Sequence, residues 1–255
     1  MTSFISEAYK KDAQQTLRLL REVFTREAVQ TCSLKGTELL KAALDLDVTQ
    51  WEGTRTVGIW NRVTKTENNA LFDMSVPQFT FLGNLLEDCG VHRIVIFGDT
   101  LADAPKAAVG KLAVEVVDLT EFWKREDFKR CFGDGVVDFS AQCYIQLELQ
   151  NFVDLNLGPH SGGTDYLGFM GSPVIFWTST DHPAHPRMPR LTEYCSRWWC
   201  VPVGSWENIK AAREEGGFPE TGERLLTTAI QYALSATASA ESALLCAARW
   251  ASLCG

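Results

Sequence analysis

The stretch that most constrains the fold runs from Asn151 to Trp177, NFVDLNLGPHSGGTDYLGFMGSPVIFW. A short apolar run, Phe152 to Leu157, leads into a glycine-rich turn made of Gly158, Pro159, His160, Ser161, Gly162 and Gly163. A brief helical stretch from Thr164 to Met170 stops at Gly171, and a second apolar run covers Val174 to Trp177. Together these read as one βαβ unit. Gly162 and Gly163 are expected to let the backbone turn tightly and approach a ligand, while the free N–H groups and positive dipole end of the following helix sit at the carboxyl end of the strand. Open α/β sheets bind anionic groups at that place. His160, Ser161, Thr164, Asp165 and Tyr166 supply more imidazole, hydroxyl and carboxylate groups than a turn needs, so they are candidate ligand-binding residues.

The rest of the chain repeats the rhythm. Arg55 to Trp60 (RTVGIW) is the first clear strand, and it runs into the polar stretch NRVTKTENN. There Asn61, Arg62, Lys65, Glu67 and Asn68 are expected at the carboxyl edge of the sheet, with Arg62 and Lys65 facing the same crevice as the glycine turn; guanidinium forks suit phosphate oxygens. Pro77 to Cys89 is a crossover helix with proline in its first turn and Gly90 as a stop. Arg93 to Gly98 (RIVIFG) is a continuous apolar strand, the pattern of a parallel strand covered on both faces. Asp99 and Thr100 end it, and Asp99 joins the candidate ligand-binding set. Asp103 to Lys111 reads as a helix and Val114 to Asp118 as another buried strand, which favours a doubly wound sheet with right-handed crossovers.

Leu119 to Val137 reads as a helix and a loop. Tyr144 to Gln150 (YIQLELQ) alternates like a half-exposed strand, but the βαβ rhythm wants a helix before Phe152, and a helix from Ser140 to Asn151 is the expectation. Trp199 to Val203 is a last strand, and Trp206 to Glu214, Glu223 to Ser235 and Ala240 to Cys254 are helices, the first two separated by Gly216, Gly217 and Pro219. At the other end, Ser6 to Gln30 is an amphipathic helix, and a second runs from Lys35 or Gly36 to Leu44; both are expected to cover a sheet face or a partner. The division is a helical extension over residues 1–50 and a nucleotide-binding domain with C-terminal helices over 51–255.

With 255 residues, 45% of them hydrophobic and 22% charged, the chain can bury a real core. A net charge of -8 gives no general attraction to nucleic acid or an anionic membrane. The N-terminus lacks a signal-peptide core and no apolar run is long enough to span a bilayer, so a cytoplasmic protein is expected. The eight cysteines (Cys32, Cys89, Cys131, Cys143, Cys195, Cys200, Cys246, Cys254) are scattered and read as reduced thiols. His182 and His185 with Cys195 and Cys200 can be drawn as a zinc set, but the spacing and intervening prolines match no recurrent zinc module, and no metal is expected.

The order of these pieces carries a resemblance. GIWNRVTKTENNALF, then RIVIFGD and VEVVD, then a helix and VDLNLGPHSGGTDYLGFMGSPVIFW resemble the nucleotide-sugar-binding C-terminal half of GT-B glycosyltransferases. Fucosyltransferases that use GDP-fucose are similar, and for the glycine turn so are the heptosyltransferases. The resemblance covers about Arg55 to Val203. It implies an α/β, Rossmann-like, mostly parallel sheet with helices on both faces, plus N- and C-terminal helices. It also implies a nucleoside diphosphate sugar as donor substrate and no permanently bound cofactor. Arg62 matches the second of the family's paired arginines, which binds the donor diphosphate and stabilises the departing nucleotide, and Lys65 matches its lysine. Asn61 stands in place of the first arginine and Thr64 in place of an acidic residue. The family's phosphate-binding hydroxyl and amides fall on His160, Ser161, Gly162 and Gly163.

GT-B enzymes place the acceptor on a separate N-terminal Rossmann domain, and about fifty mainly helical residues are too few to build one. Two mechanisms therefore stand. In a sugar transferase, Arg62 and Lys65 neutralise charge on the nucleoside diphosphate, Asp165 or Glu67 activates an acceptor hydroxyl, and a homodimer can supply the acceptor wall. In the alternative the scaffold serves a tRNA-dependent acyl transfer such as cyclodipeptide synthesis, with Ser161 as nucleophile and His160 or Asp165 assisting. A third class is a nucleotide-binding or assembly protein without turnover. The partners expected are a small nucleotide donor, a second copy of the chain, tRNA only under the acyl-transfer alternative, and no membrane.

Overall fold

A computed structural model describes residues 15, 18, 19, 22, 32–63, 73–133, 139–181, 198–215 and 217–236. The chain is an α/β protein built on one parallel six-stranded sheet. Its strands are β1 (Thr56–Asn61), β2 (Arg93–Gly98), β3 (Glu115–Asp118), β4 (Leu155–Pro159), β5 (Val174–Ser179) and β6 (Trp198–Gly204). They lie in the order β3-β2-β1-β4-β5-β6. Every pairing among the described strands is parallel, which sharpens the expected mostly parallel sheet. Two βαβ halves run outwards from the central pair β1 and β4, the doubly wound arrangement of dinucleotide-binding folds.

The helices are α1 (Gly36–Leu44), α2 (Val76–Asp88), α3 (Asp103–Val109), α4 (Glu126–Phe132), α5 (Phe139–Leu149), α6 (Gly162–Phe169), α7 (Trp206–Glu215) and α8 (Glu220–Ala236). Alternation along each strand sends its side chains into two cores. Val57, Ile59, Ile94, Ile96, Leu155, Leu157, Ile175 and Trp177 face α2, α7 and α8, whose Phe79, Leu82, Ile209, Leu226 and Ile230 complete that layer. Val95 and Phe97 face the other way, against Leu39, Leu40 and Ala43 of α1, Phe128 and Phe132 of α4, and Tyr144, Ile145 and Leu149 of α5. So α1 and the 3-10 turn Val48–Trp51 are a layer of this core, covering a sheet face as the sequence implied.

Local chemistry explains the helix starts. Ser75 caps α2 through a capping box with Gln78, and Pro77 stands in the first turn where its missing N–H costs nothing. α5 is a helix despite its alternating sequence, because neighbouring elements bury more than one of its sides. Gln146 is nearly as buried as Tyr144 and Ile145, so polarity there does not mark exposure. β4 begins three residues later than the apolar run, since Gln150–Phe152 form a 3-10 turn that finishes the helix. The basic and acidic run after β3 holds a 3-10 turn, Phe122–Lys124, and α4.

The amino-terminal edge of the sheet is tied by polar side chains. Arg93 is 6% exposed, donates to Glu115 Oε2 through Nε (2.9 Å) and Nη2 (2.6 Å), and stacks 4.5 Å from the ring centre of Trp51. Asp154 Oδ2 accepts from the Thr56 N–H at 2.8 Å, fixing the entry to β1. Cys32, Cys143 and Cys200 are buried and Cys89 and Cys131 half-buried, and none of these five is in a disulfide. No helix among the described residues is long and apolar enough to cross a membrane. The helices expected over Ala240 to Cys254 and most of Ser6 to Gln30 lie outside the described residues; Gln15, Arg18, Leu19 and Glu22 are helical.

Candidate active site at the strand-order switch

β1 and β4 are neighbours, yet the helices that follow them pack on opposite faces. α2 joins the layer that covers Val57 and Ile59. α6 lies on the side of Gly158 and Trp60. The chain therefore diverges at the carboxyl ends of β1 and β4 and opens a crevice there, the position at which open α/β sheets take ligands.

Arg62 is the first residue beyond β1, and its Nη1 donates to the His160 carbonyl at 2.9 Å, reaching across the switch point to the end of β4. On the β4 side, Ser161 is the N-cap of α6. Its Oγ accepts from the Thr164 N–H at 3.3 Å, the Ser161 N–H donates to Thr164 Oγ1 at 3.1 Å, and the buried threonine hydroxyl also donates to the Pro159 carbonyl. This capping box consumes the third amide of the helix and leaves the Gly162 and Gly163 amides without a protein acceptor among the described residues. Two N–H donors and the positive end of the helix dipole thus follow two residues after His160, whose carbonyl receives the Arg62 guanidinium.

The two glycines differ in what they do. Neither has a left-handed backbone, so the tight turn expected of them is not their reason. A Cβ on Gly163 would lie 2.0 Å from Cε2 and Cζ2 of Trp60, so glycine is needed for helix α6 to sit on that ring. A Cβ on Gly162 would meet nothing within 4 Å. Trp60 is thereby the floor under the start of α6, a role that sequence reasoning missed. It read there as an ordinary strand residue, and only the neighbouring strand shows that the ring lies under a glycine about a hundred positions away.

His160 and Asp165 meet at the crevice. Nε2 of His160 is 3.7 Å from Asp165 Oδ2, an ion-pair distance too long for a hydrogen bond, and both side chains are mostly buried. The His160 ring packs 5.7 Å from Phe176, and the His160 main-chain N–H donates to the Trp177 carbonyl at 2.8 Å. Asp165 Oδ1 is buried and has no hydrogen-bond partner among the described residues. Thr178 Oγ1 is the other such atom, on the same face of β5 as Phe176.

Of the residues singled out in the sequence, Arg62, His160, Ser161, Gly162, Gly163, Thr164 and Asp165 come together here. Asn61 and Asp99 lie just behind, joined to one another at the ends of β1 and β2. Tyr166 is turned to α5, where its hydroxyl donates to the Cys143 carbonyl at 2.9 Å. Lys65 and Glu67 lie outside the described residues, as do His182, His185 and Cys195 of the possible zinc set. Among the described residues no three metal-ligating side chains lie together.

No protein-family model matches the chain, and no curated protein matches it. Solved structures do match it. The chain is similar to the glycosyl transferase family 9 crystal structure from Veillonella parvula, with a TM-score of 0.47 and 12% identity. The overlap takes in 78% of this chain and 50% of that one, so the chain spans half the length of that protein. A likeness of that size assigns neither activity nor ligand.

Proposed function

We propose that this protein is a sugar transferase whose switch-point crevice holds the diphosphate of a nucleoside diphosphate sugar. The observation that carries the reading is that Arg62 reaches across β1 and β4 to the His160 carbonyl, two residues before Gly162, where α6 starts with two amides that have no protein acceptor among the described residues. A diphosphate matches that set: its oxygens take a guanidinium fork on one side and two backbone N–H groups on the other, and it is shielded on one flank by protein. In the transfer an acceptor hydroxyl oxygen bonds to the anomeric carbon as the bond from that carbon to the phosphate oxygen breaks. The nucleoside diphosphate departs with the electron pair, and Arg62 and the α6 amides stabilise the charge that grows on it. The hydroxyl proton passes to a carboxylate, and Asp165, whose Oδ1 has no hydrogen-bond partner among the described residues, is the proposed acceptor. A second copy of the chain is the proposed source of the acceptor wall.

Ser161 stands in this reading as a helix cap rather than a nucleophile, since its hydroxyl is engaged with Thr164. Thermal shift with GDP, UDP and ADP, and with their sugar conjugates, tests the proposal. One of them is expected to raise Tm by mass action, and Arg62→Ala to abolish the rise. No shift with any of them at millimolar concentration would sink it. Ser161→Ala should lower stability by about 1 kcal/mol through the lost cap and leave turnover standing; a covalent adduct on Ser161, seen by intact mass and absent from Ser161→Ala, would instead establish acyl transfer.

A further inference from the structure

Arg62 leaves the sheet on a single residue of loop, where no strand ladder fixes it. A constraint comes from Asp99, the first residue beyond β2. The Asp99 N–H donates to the Asn61 carbonyl at 3.1 Å, and Asn61 Nδ2 donates back to the Asp99 carbonyl at 2.7 Å. On the far side of Arg62, the Val63 N–H donates to Asp99 Oδ2 at 2.7 Å. These bonds fall on the residues immediately before and after Arg62, so its main chain is clamped at both flanks. Asn61 is 3% exposed, and the bonds on it are correspondingly shielded from water. Gly98 makes the approach possible: it has φ +88°, and a Cβ there would lie 2.0 Å from the Asn61 carbonyl oxygen.

We propose that Asp99 is a positioning residue that acts through Arg62. Its carboxylate and main chain hold the loop so that the guanidinium reaches the His160 carbonyl and, with it, the place of a bound diphosphate. The inference rests on reading the crevice as a diphosphate site. It also gives an acidic side chain beside such a site a reason to be there: with Oδ2 committed to the Val63 amide, the carboxylate works on the backbone rather than on the anion, which it would repel.

The test uses the full chain as wild type, Asp99→Ala, Asp99→Asn, Arg62→Ala and the double variant Arg62→Ala/Asp99→Ala. Modification of Arg62 by phenylglyoxal in the ligand-free protein, followed by peptide mass spectrometry, reads its positioning directly. Asp99→Ala is expected to raise the labelling rate of Arg62 several-fold, and Asp99→Asn, whose amide oxygen still accepts from the Val63 N–H, to restore the wild-type rate. Calorimetry with GDP, UDP, ADP and inorganic pyrophosphate supplies the second reading. Asp99→Ala should weaken binding by about tenfold in the wild-type background and not further in the Arg62→Ala background, as for two residues acting as one unit. Equal labelling of Arg62 in wild type and Asp99→Ala overturns the proposal, and so does an equal loss of affinity in both backgrounds. If the wild type binds none of the four probes, the diphosphate reading fails while the labelling still decides the role of Asp99.

Discussion

Substituting Gly163 and Gly162 with alanine, one at a time, separates packing from ligand approach at the start of α6. At Gly163 the new methyl would sit 2.0 Å from two Trp60 ring carbons and 2.6 Å from Nε1. Ordinary carbon contacts lie near 3.5–4.0 Å, so the ring and the helix must separate by about 1.5 Å. A flexible side chain could yield, but this is a rigid indole on a central strand, held between β2 and β4. Overpacking of this kind costs about 1–3 kcal/mol or more, and the helix-propensity gain from alanine, at most about 1 kcal/mol, offsets only part of it. A net loss of about 2 kcal/mol corresponds to a fall in Tm of about 4–8 °C for a chain of this size. Gly162→Ala meets nothing within 4 Å and has no left-handed backbone to strain, so its stability should match or slightly exceed wild type. The methyl is nevertheless added to the first residue of α6, one of the two proposed to donate to the diphosphate, and diphosphate binding should weaken. Differential scanning calorimetry and pyrophosphate titration of both variants provide the assay. An unchanged Tm for Gly163→Ala would refute the assigned contact with Trp60, and a larger loss in Gly162→Ala than in Gly163→Ala would reverse the whole argument.

The remaining predictions concern groups away from the crevice. Burial first, and then the neighbouring Glu148 and Cys32, push the Tyr144 phenol up to about 12. The unfolded chain ionises near 10, so stability is full below about pH 10 and falls by about 1.4 kcal/mol per unit from there to pH 12. Denaturant melts across that window should show the slope, and Tyr144→Phe should flatten it. Burial likewise raises the Cys89 and Cys131 thiols, so both should alkylate more slowly at pH 8 than an exposed cysteine in the urea-unfolded chain, as followed by peptide mass spectrometry. Arg93→Ala strips hydrogen bonds from Thr54 and Thr56, the ion pair with Glu115 and the stack on Trp51, and should cost about 2–4 kcal/mol in a urea melt. Glu115 is itself half exposed, so Glu115→Gln should cost less than about 1 kcal/mol.

Much of the fold is legible along the chain because its signals are local. After Arg93, which is ion-paired at its start, IVIFG is an unbroken apolar run, as expected of a strand covered on both faces, and β2 is buried at every residue. The glycine turn with a serine at its end marks the start of α6, since a capping box needs only residues within four positions of one another. The places where the reading slips are those where burial overrides period: YIQLELQ alternates, yet α5 is packed on more than one side and keeps Gln146 in the core. The candidate site divides the same way. Arg62 and the His160–Asp165 run were visible as polar residues at strand ends, while the Asp99 clamp, the tether of Arg62 to the His160 carbonyl and the Trp60 floor join residues up to about a hundred positions apart.

By itself, then, the sequence determined that this chain forms parallel βαβ units with a polar, glycine-bearing turn before a helix, because hydrophobic period, caps and breakers act over a few residues. Tertiary structure alone decided that β1 and β4 are neighbours. It also decided that Gly163 serves a tryptophan rather than a turn, and that Arg62 spans the gap to His160 with Asp99 behind it. Strand order and cross-strand contact depend on which distant surfaces bury one another, and no local propensity encodes that choice.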